Sequence, residues 1–281
     1  MKILDLVEIL SGRILPLKFG KHYVRPLLER RKQVPYDGRA YFESFYRSTL
    51  GGDFSDGITL RPKYNPMFAR FHYNAVENLI IEYFSLRSVP EAPRVLDIGS
   101  GTGHWMDFYL DVFRASRVVV MEISESAAEA LKSKYGSSEK AEILEGDISA
   151  SDFDLGEKFE VVSAIGVMFH IVDDRLWEQA VANIAGHLSD KGVAVIGGQF
   201  GRVTRNVQFH NSDHFESWDE AAASKSEVAL VNKRIRSLRR WRSCARRAGL
   251  RVDCVKRARG RKEIETPEND VLILTRATGW T

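Results

Sequence analysis

Three carboxylates stand out by their spacing from a glycine-rich turn. Asp97 precedes Gly99, Gly101 and Gly103, Glu122 follows Gly99 by 23 residues, and Asp147 lies in Glu145-Gly146-Asp147-Ile148. Glycine takes positive φ and lets a backbone approach a ligand with no side chain in between. A helix that starts just after such a turn offers free N–H groups and the positive end of its dipole. A carboxylate at Glu122 can accept both hydroxyl hydrogens of a ribose, and one at Asp147 can accept from an adenine amino group. Asp97 puts negative charge where a pyrophosphate would sit in a dinucleotide site, and it suits a cationic amino-acid group better. The pattern is G-x-G-x-G followed by His104, and so departs from the G-x-G-x-x-G of dinucleotide enzymes.

Positioning these groups takes a sheet. From about residue 67 amphipathic helices alternate with short apolar strands, the mark of a parallel sheet covered on both faces. Phe68, Phe71, Ala75, Leu79 and Tyr83 give a helix over 67–85, started at Pro66. Strands are predicted at 94–98, 117–122, 141–144, 159–165 and 193–197. The second contains Val118, Val119, Val120 and Met121, a run suited to burial on both faces. Helices are predicted over 104–112 and 124–135, the latter with Ser126 and Glu129 in capping-box spacing and Gly136 as its stop. Asp173 or Asp174 can cap a further helix with Leu176, Ala180, Val181, Ile184 and Leu188 on one face, and Asp190-Lys191-Gly192 then turns into the fifth strand. A helix over 237–248 stops at Gly249. Strands at 250–256 and 271–275, joined without a helix, should pair antiparallel. The three acids then fall at three consecutive strand ends and line one cleft.

This set of residues resembles the class I S-adenosylmethionine-dependent methyltransferases over residues 67–276. The resemblance implies an α/β, Rossmann-like seven-stranded sheet, five parallel strands plus a terminal antiparallel pair, with helices on both faces. It implies that Asp97, Gly99, Gly101 and Gly103 hold the methionine end of S-adenosylmethionine, Glu122 with Ile123 the ribose, and Asp147 with Ile148 the adenine. The segment 161–174 looks like the family's fourth-strand motif, which sets Ile165 and Gly166 beside the cofactor and Phe169-His170 near the acceptor. S-adenosylhomocysteine would be the product. His170 is the candidate base, since imidazole titrates near neutrality; its bland alternative is a histidine that stabilises the loop after the fourth strand.

Two segments lie outside this core: an N-terminal cap, residues 1–66, and an insert at about 199–236 that reads as a substrate cover. In the cap, Tyr41, Phe42, Phe45 and Tyr46 are candidates to wall an acceptor pocket, with Tyr41, Phe45, Phe169 and His170 as its contacts; aromatics at helical spacing otherwise serve as core. Arg61 and Arg70 are further candidates for the cofactor carboxylate. His104 reads as helix-start packing or a cofactor contact. His210, Asp213 and His214 lack a completing ligand set, so no metal site is expected.

Composition narrows the classes further. With 44% hydrophobic and 28% charged residues the chain is ordinary for a globular protein. No window reaches the roughly 18 uninterrupted apolar residues of a membrane span, and residues 1–17 lack a secretory pattern, so the reading is cytoplasmic. The only cysteines, Cys244 and Cys254, make neither a disulfide framework nor a zinc site. Between Lys233 and Lys262 stand 14 Lys or Arg against one acid, Asp253. That stretch is either a solvated face or a phosphate track. The leading expectation is methyl transfer to an O, N or C nucleophile of a small-molecule acceptor such as a metabolite, natural product or sugar. The alternatives are a nucleic-acid methyltransferase using the basic stretch, or a non-catalytic S-adenosylmethionine-binding protein. Against the former, the fourth strand leads into Ser163-Ala164-Ile165-Gly166, without the motifs of the adenine-N6 or cytosine-C5 enzymes.

Overall fold

The structure, a computed structural model, describes residues 36–49, 66–87, 91–210, 230–257 and 270–277. Two helices come first, α1 (Gly38–Thr49) and α2 (Pro66–Ser85). The alternating part then runs β1 (Arg94–Ile98), α3 (His104–Asp111), β2 (Arg117–Glu122), α4 (Glu125–Tyr135), β3 (Ala141–Glu145), β4 (Phe159–Ile165), α5 (Asp174–His187) and β5 (Leu188–Gly198). A hairpin, β6 (Arg205–His210) and β7 (Leu230–Ile235), leads into α6 (Leu238–Arg247), β8 (Leu250–Lys256) and β9 (Asp270–Arg276).

Seven strands form one sheet in the order β3-β2-β1-β4-β5-β9-β8. The first five are parallel; β9 inserts antiparallel beside β5, and β8 pairs antiparallel with β9. Strand order therefore reverses at β1, whose neighbours are β2 and β4, and the crevice outside their C-terminal ends is where an open α/β sheet binds ligands. Alternate residues of each strand feed two cores. Leu96, Val119 and Val162 pack with Trp177, Ile184 and Trp241 of α5 and α6. Val95, Val120 and Val161 pack with Ile80, Tyr83, Met106 and Tyr109 of α2 and α3. Both faces are covered, which is why the strands read as continuous apolar runs.

Four local expectations are corrected. Ser124, not Ser126, caps α4: its backbone is extended and its hydroxyl accepts from Ala127 N. Gly136 ends that helix as expected, in a right-handed conformation with φ −61°. Strand β5 begins at Leu188, so the expected turn at 190–192 lies inside it, where its pairing with β4 is irregular between Phe159 and Val161. The buried stripe of α2 is Tyr73, Val76, Ile80, Tyr83 and Phe84, while Phe71 is exposed. Both stripes have helical spacing, and the stripe that meets α3 wins. Leu176 is likewise exposed at the start of α5.

Candidate cofactor and acceptor site

The turn after β1 is built on left-handed backbone: φ is +69° at Gly99, +58° at Gly101 and +90° at Gly103. L side chains rarely adopt these angles. A Cβ on Gly99 would lie 2.5 Å from Val167 Cγ2, and one on Gly103 2.7 Å from the Tyr135 hydroxyl. Gly103 caps α3 without a side-chain hydrogen bond, so the first N–H groups of that helix stay available to the turn. Gly103→Ala is expected to lower stability by about 2–4 kcal/mol, from left-handed strain plus overpacking against Tyr135 and Leu131. A urea melt reads it directly, and an unchanged midpoint would count against this account of the turn.

Asp97 stands one residue before the end of β1 and is 1% exposed. One carboxylate oxygen accepts from the Ser100 hydroxyl; the other, Oδ1, is buried with no hydrogen-bond partner, as is Thr102 Oγ1 in the same turn. Burial pushes the Asp97 carboxyl up to about 6, against the pull of the nearby Ser100 and Ser163 hydroxyls. A buried, unpaired carboxylate oxygen is costly unless a donor reaches it. A cationic ammonium is a fitting donor.

Glu122 closes β2 and is also buried. Its Oε2 accepts from Gly101 N at 3.1 Å and its Oε1 from Ile123 N at 2.9 Å and Ser124 N at 3.3 Å. One carboxylate thus ties the glycine turn to the start of α4. Burial raises its pKa, countered by these backbone N–H groups. Each oxygen has two lone pairs, so hydroxyl donors can still be served in part. Ile123 itself is half-buried.

At the third strand end, Asp147 Oδ1 accepts from Ser149 N at 2.8 Å and Ser149 Oγ at 2.7 Å, closing a turn in which Ile148 is buried. Asn183 of α5 fastens that turn from behind, donating to Ile148 O at 2.7 Å and Ala150 O at 2.8 Å. At the fourth, Ile165 is half-buried and Gly166 has φ +80° with open space where a Cβ would stand. Asp97, Glu122, Asp147 and Ile165 thus rim the C-terminal edge of four adjacent strands.

His170 lies beyond the β4 end. Its ring meets Phe42 of α1 edge-on at 4.9 Å and Phe169 at 4.6 Å, and its Nδ1 is buried with no partner. Burial, reinforced by the Lys233 ammonium on β7, holds its pKa well below the ordinary imidazole value, against a hydrogen bond to the Asn232 backbone. The imidazole is neutral at pH 7. Phe169 is buried, with Lys233 Nζ 4.9 Å from its ring centre.

The α1 aromatics divide. Phe42 is the ring against His170; Tyr41 packs with Tyr36, Phe42 and Phe45, and Phe45 packs with Tyr46 and Ala127 of α4. Burial, and after it the nearby Glu122 carboxylate, raise the Tyr46 phenol well above its usual range. His104 stacks on Tyr73 at 3.7 Å and its Nε2 lies 2.7 Å from Glu77, so α2 holds it. Arg70 is exposed on α2. Arg61, Asp213 and His214 lie outside the described residues, as does the side chain of His210. No cluster that would hold a metal ion occurs among the described residues.

Three groups escaped the reading of the sequence: Asn183, Glu43 and Arg236. Glu43 of α1 accepts from Ser124 Oγ at 2.8 Å, Ser126 N at 3.1 Å and Ser126 Oγ at 2.5 Å. Against burial, these bonds at a helix N-terminus hold its pKa down at about 2. Arg39 adds an ion pair to Glu145 at 2.9 Å. Helix α1 is thereby fastened over the β2 and β3 ends. Arg236 is fully buried and bonded to the backbone of the segment that follows β4. An N-cap pattern in the sequence could have pointed to Ser124, but nothing local marks its partner Glu43, which lies 81 residues away.

Much of the basic stretch is spent inside the fold. Asp174 pairs with Arg234, Arg236 and Arg240, Glu178 with Arg240 and Arg247, Asp253 with Arg251, Glu82 with Lys256 and Asp270 with Arg257. Arg239, Arg242 and Arg246 are exposed on one side of α6.

Residues 95–192 match the family model of a methyltransferase domain. Solved structures share the fold. An S-adenosylmethionine-dependent methyltransferase from Clostridium acetobutylicum ATCC 824 is 13% identical with a TM-score of 0.53, over 73% of this chain and 92% of its own. The CcbJ methyltransferase from Streptomyces caelestis is 16% identical with a TM-score of 0.54, over 86% of this chain and 100% of its own. The N-methyltransferase NodS from Bradyrhizobium japonicum WM9, solved with S-adenosylhomocysteine, is 16% identical with a TM-score of 0.53, over 84% and 96%. No curated protein matches the chain. Residues 95–192 thus match a methyltransferase domain, and the chain has the fold of the S-adenosylmethionine-dependent methyltransferases. No helix among the described residues is long and apolar enough to cross a membrane.

Proposed function

We propose that the protein is an S-adenosylmethionine-dependent methyltransferase, releasing S-adenosylhomocysteine, that acts on an O, N or C nucleophile of a small-molecule acceptor, with residues 1–66 as a cap and 199–236 as a cover over the site. The observation that carries the reading is the enclosure of Phe169-His170 between Phe42 of α1 and the hairpin strand β7. An enclosed, aromatic-walled mouth suits a compact substrate better than a duplex or a folded RNA. A glycopeptide N-methyltransferase, MtfA, and the N-methyltransferase NodS are among the solved structures that share the fold.

In this reading Asp97 holds the ammonium of the methionine end, Glu122 the ribose hydroxyls, and Asp147 with Ile148 the adenine edge. S-adenosylmethionine supplies an activated sulfonium methyl, so the protein contributes alignment and exclusion of water more than activation. His170 Nδ1, buried and without a partner, is the atom that takes a proton from the nucleophile. Its low pKa keeps it unprotonated at neutral pH. As the pH falls it is protonated only well below the ordinary imidazole value, so the acidic limb of the rate profile is expected well below pH 6.5.

A cell extract supplied with the enzyme and tritiated S-adenosylmethionine, then divided into small-molecule and RNA fractions, tests the proposal. Label is expected in the small-molecule fraction, falling about 100-fold or more with His170→Ala while S-adenosylhomocysteine affinity stays unchanged. Label confined to RNA, and lost on neutralising Arg239, Arg242 and Arg246, would replace this reading with the nucleic-acid one.

A further inference from the structure

Arg236 sits where β7 gives way to α6, with 1% of its side chain exposed. Taking a guanidinium out of water costs several kcal/mol unless its donors are matched, and an apolar side chain of similar volume often serves stability as well. Here the donors are spent almost wholly on one segment. Nη1 donates to Met168 O at 3.4 Å, and Nη2 donates to Ile171 O at 2.8 Å and Asp173 O at 3.2 Å. Nε donates to Asp174 Oδ1 at 3.0 Å, and the guanidinium lies 4.4 Å from the centre of the Trp177 ring. Arg234 completes the grip from β7 itself. Its backbone N–H donates to Phe169 O at 2.7 Å and its side chain clasps the Asp174 carboxylate at 2.7 and 2.6 Å. Carbonyls on both sides of His170, at 168, 169, 171 and 173, are therefore held by the end of β7 and the residue that follows it. Burial lowers the Arg236 pKa to about 10, which still leaves it charged at neutral pH.

We propose that Arg236 is a positioning residue for methyl transfer: its planar fork fixes the backbone on either side of His170, so that the imidazole stands in one place against α1. This rests on the reading of His170 as an acceptor-site group. A fork with five fixed donors can span three carbonyls and a carboxylate, whereas a lysine ammonium reaches only a subset of them. The charge toward Asp174 and the grip on the carbonyls are thus separable. A catalytic group is held only as well as the shell around it, and without the grip the segment can swing His170 away from Phe42 and into water.

The test is an NMR pH titration of the full chain with labelled histidine, saturated with S-adenosylhomocysteine, in wild type, Arg236→Met and Arg236→Lys, with His170→Gln to assign the signal. Lys233 on β7 is the charged group beside the ring, and it is unchanged in every variant. Wild-type His170 is expected to stay neutral through the ordinary imidazole range. In both variants its transition should move up by at least about one pH unit, as solvent reaches the ring. S-adenosylhomocysteine affinity should remain within about threefold, because Asp97, Glu122 and Asp147 lie on other elements. If Arg236→Met does not fold, Arg236→Lys decides alone. A wild-type titration curve in Arg236→Lys would overturn the proposal, since charge alone would then suffice. His170→Ala with undiminished turnover would instead sink the acceptor-site reading, while the titration would still report the clamp.

Discussion

Asp97→Asn is expected to weaken S-adenosylmethionine binding about 100-fold at pH 7.5, through loss of a buried charge pair, and to abolish the acidic limb of the binding profile. In the free protein burial raises this carboxyl to about 6. A raised acid contributes stability that is fully present below its unfolded pKa of about 4 and is lost as pH rises through the folded value. The free enzyme is therefore destabilised by its own charged Asp97 at neutral pH. A cationic ammonium reverses the preference, because it needs the carboxylate ionised. Wild-type affinity should be flat above pH 6 and should fall about tenfold per pH unit below it. The Asn variant should show a flat profile and a melting temperature at pH 7.5 no lower than that of the wild type. Calorimetry between pH 5 and 8 measures the first, differential scanning fluorimetry the second. Equal affinity in the two proteins would remove Asp97 from the methionine end.

Glu122→Ala carries the other large effect, a loss of about 100- to 1,000-fold in affinity, from a charged acceptor removed with its donors left behind. Gly101 N, Ile123 N and Ser124 N all lose their acceptor at once. The damage reaches both the glycine turn and the start of α4, so stability should fall too, unlike the case of Asp97. Adenosine separates the two sites. It carries the ribose and lacks the amino acid, so Asp97→Asn should bind it normally and Glu122→Ala should not. Glu122→Gln, which keeps one carbonyl oxygen, should fall in between. Normal adenosine binding by Glu122→Ala would refute the ribose assignment.

Legibility in the sequence followed the physics of each element. Strands β1, β2, β4 and β8 lie at their expected bounds, because burial on both faces or a flanking turn leaves an uninterrupted signal. The glycine turn and the acids at strand ends were equally plain, since each is fixed by neighbours close in the chain. The hairpin β6–β7 was not legible. Arg205, Asn206 and Gln208 interrupt its apolar pattern, and its strands are separated by residues 211–229. Arg236 hid inside a basic run, which taken alone reads as a solvated face. Its meaning lies in Asp174, 62 residues earlier, and in backbone carbonyls that no side-chain pattern encodes. The same limit applies to Phe42, whose contact with His170 depends on how α1 docks.

The insertion of β9 between β5 and β8 bears on how the molecule is made. A chain emerging from its N-terminus completes β8 before β9, yet β8 joins the sheet only through β9. Until residues 270–276 arrive, β5 presents a bare apolar edge of the kind that templates aggregation. Every strand that leads to a candidate cofactor residue is synthesised long before that edge is closed. The binding crevice is early; the seal on its sheet comes late.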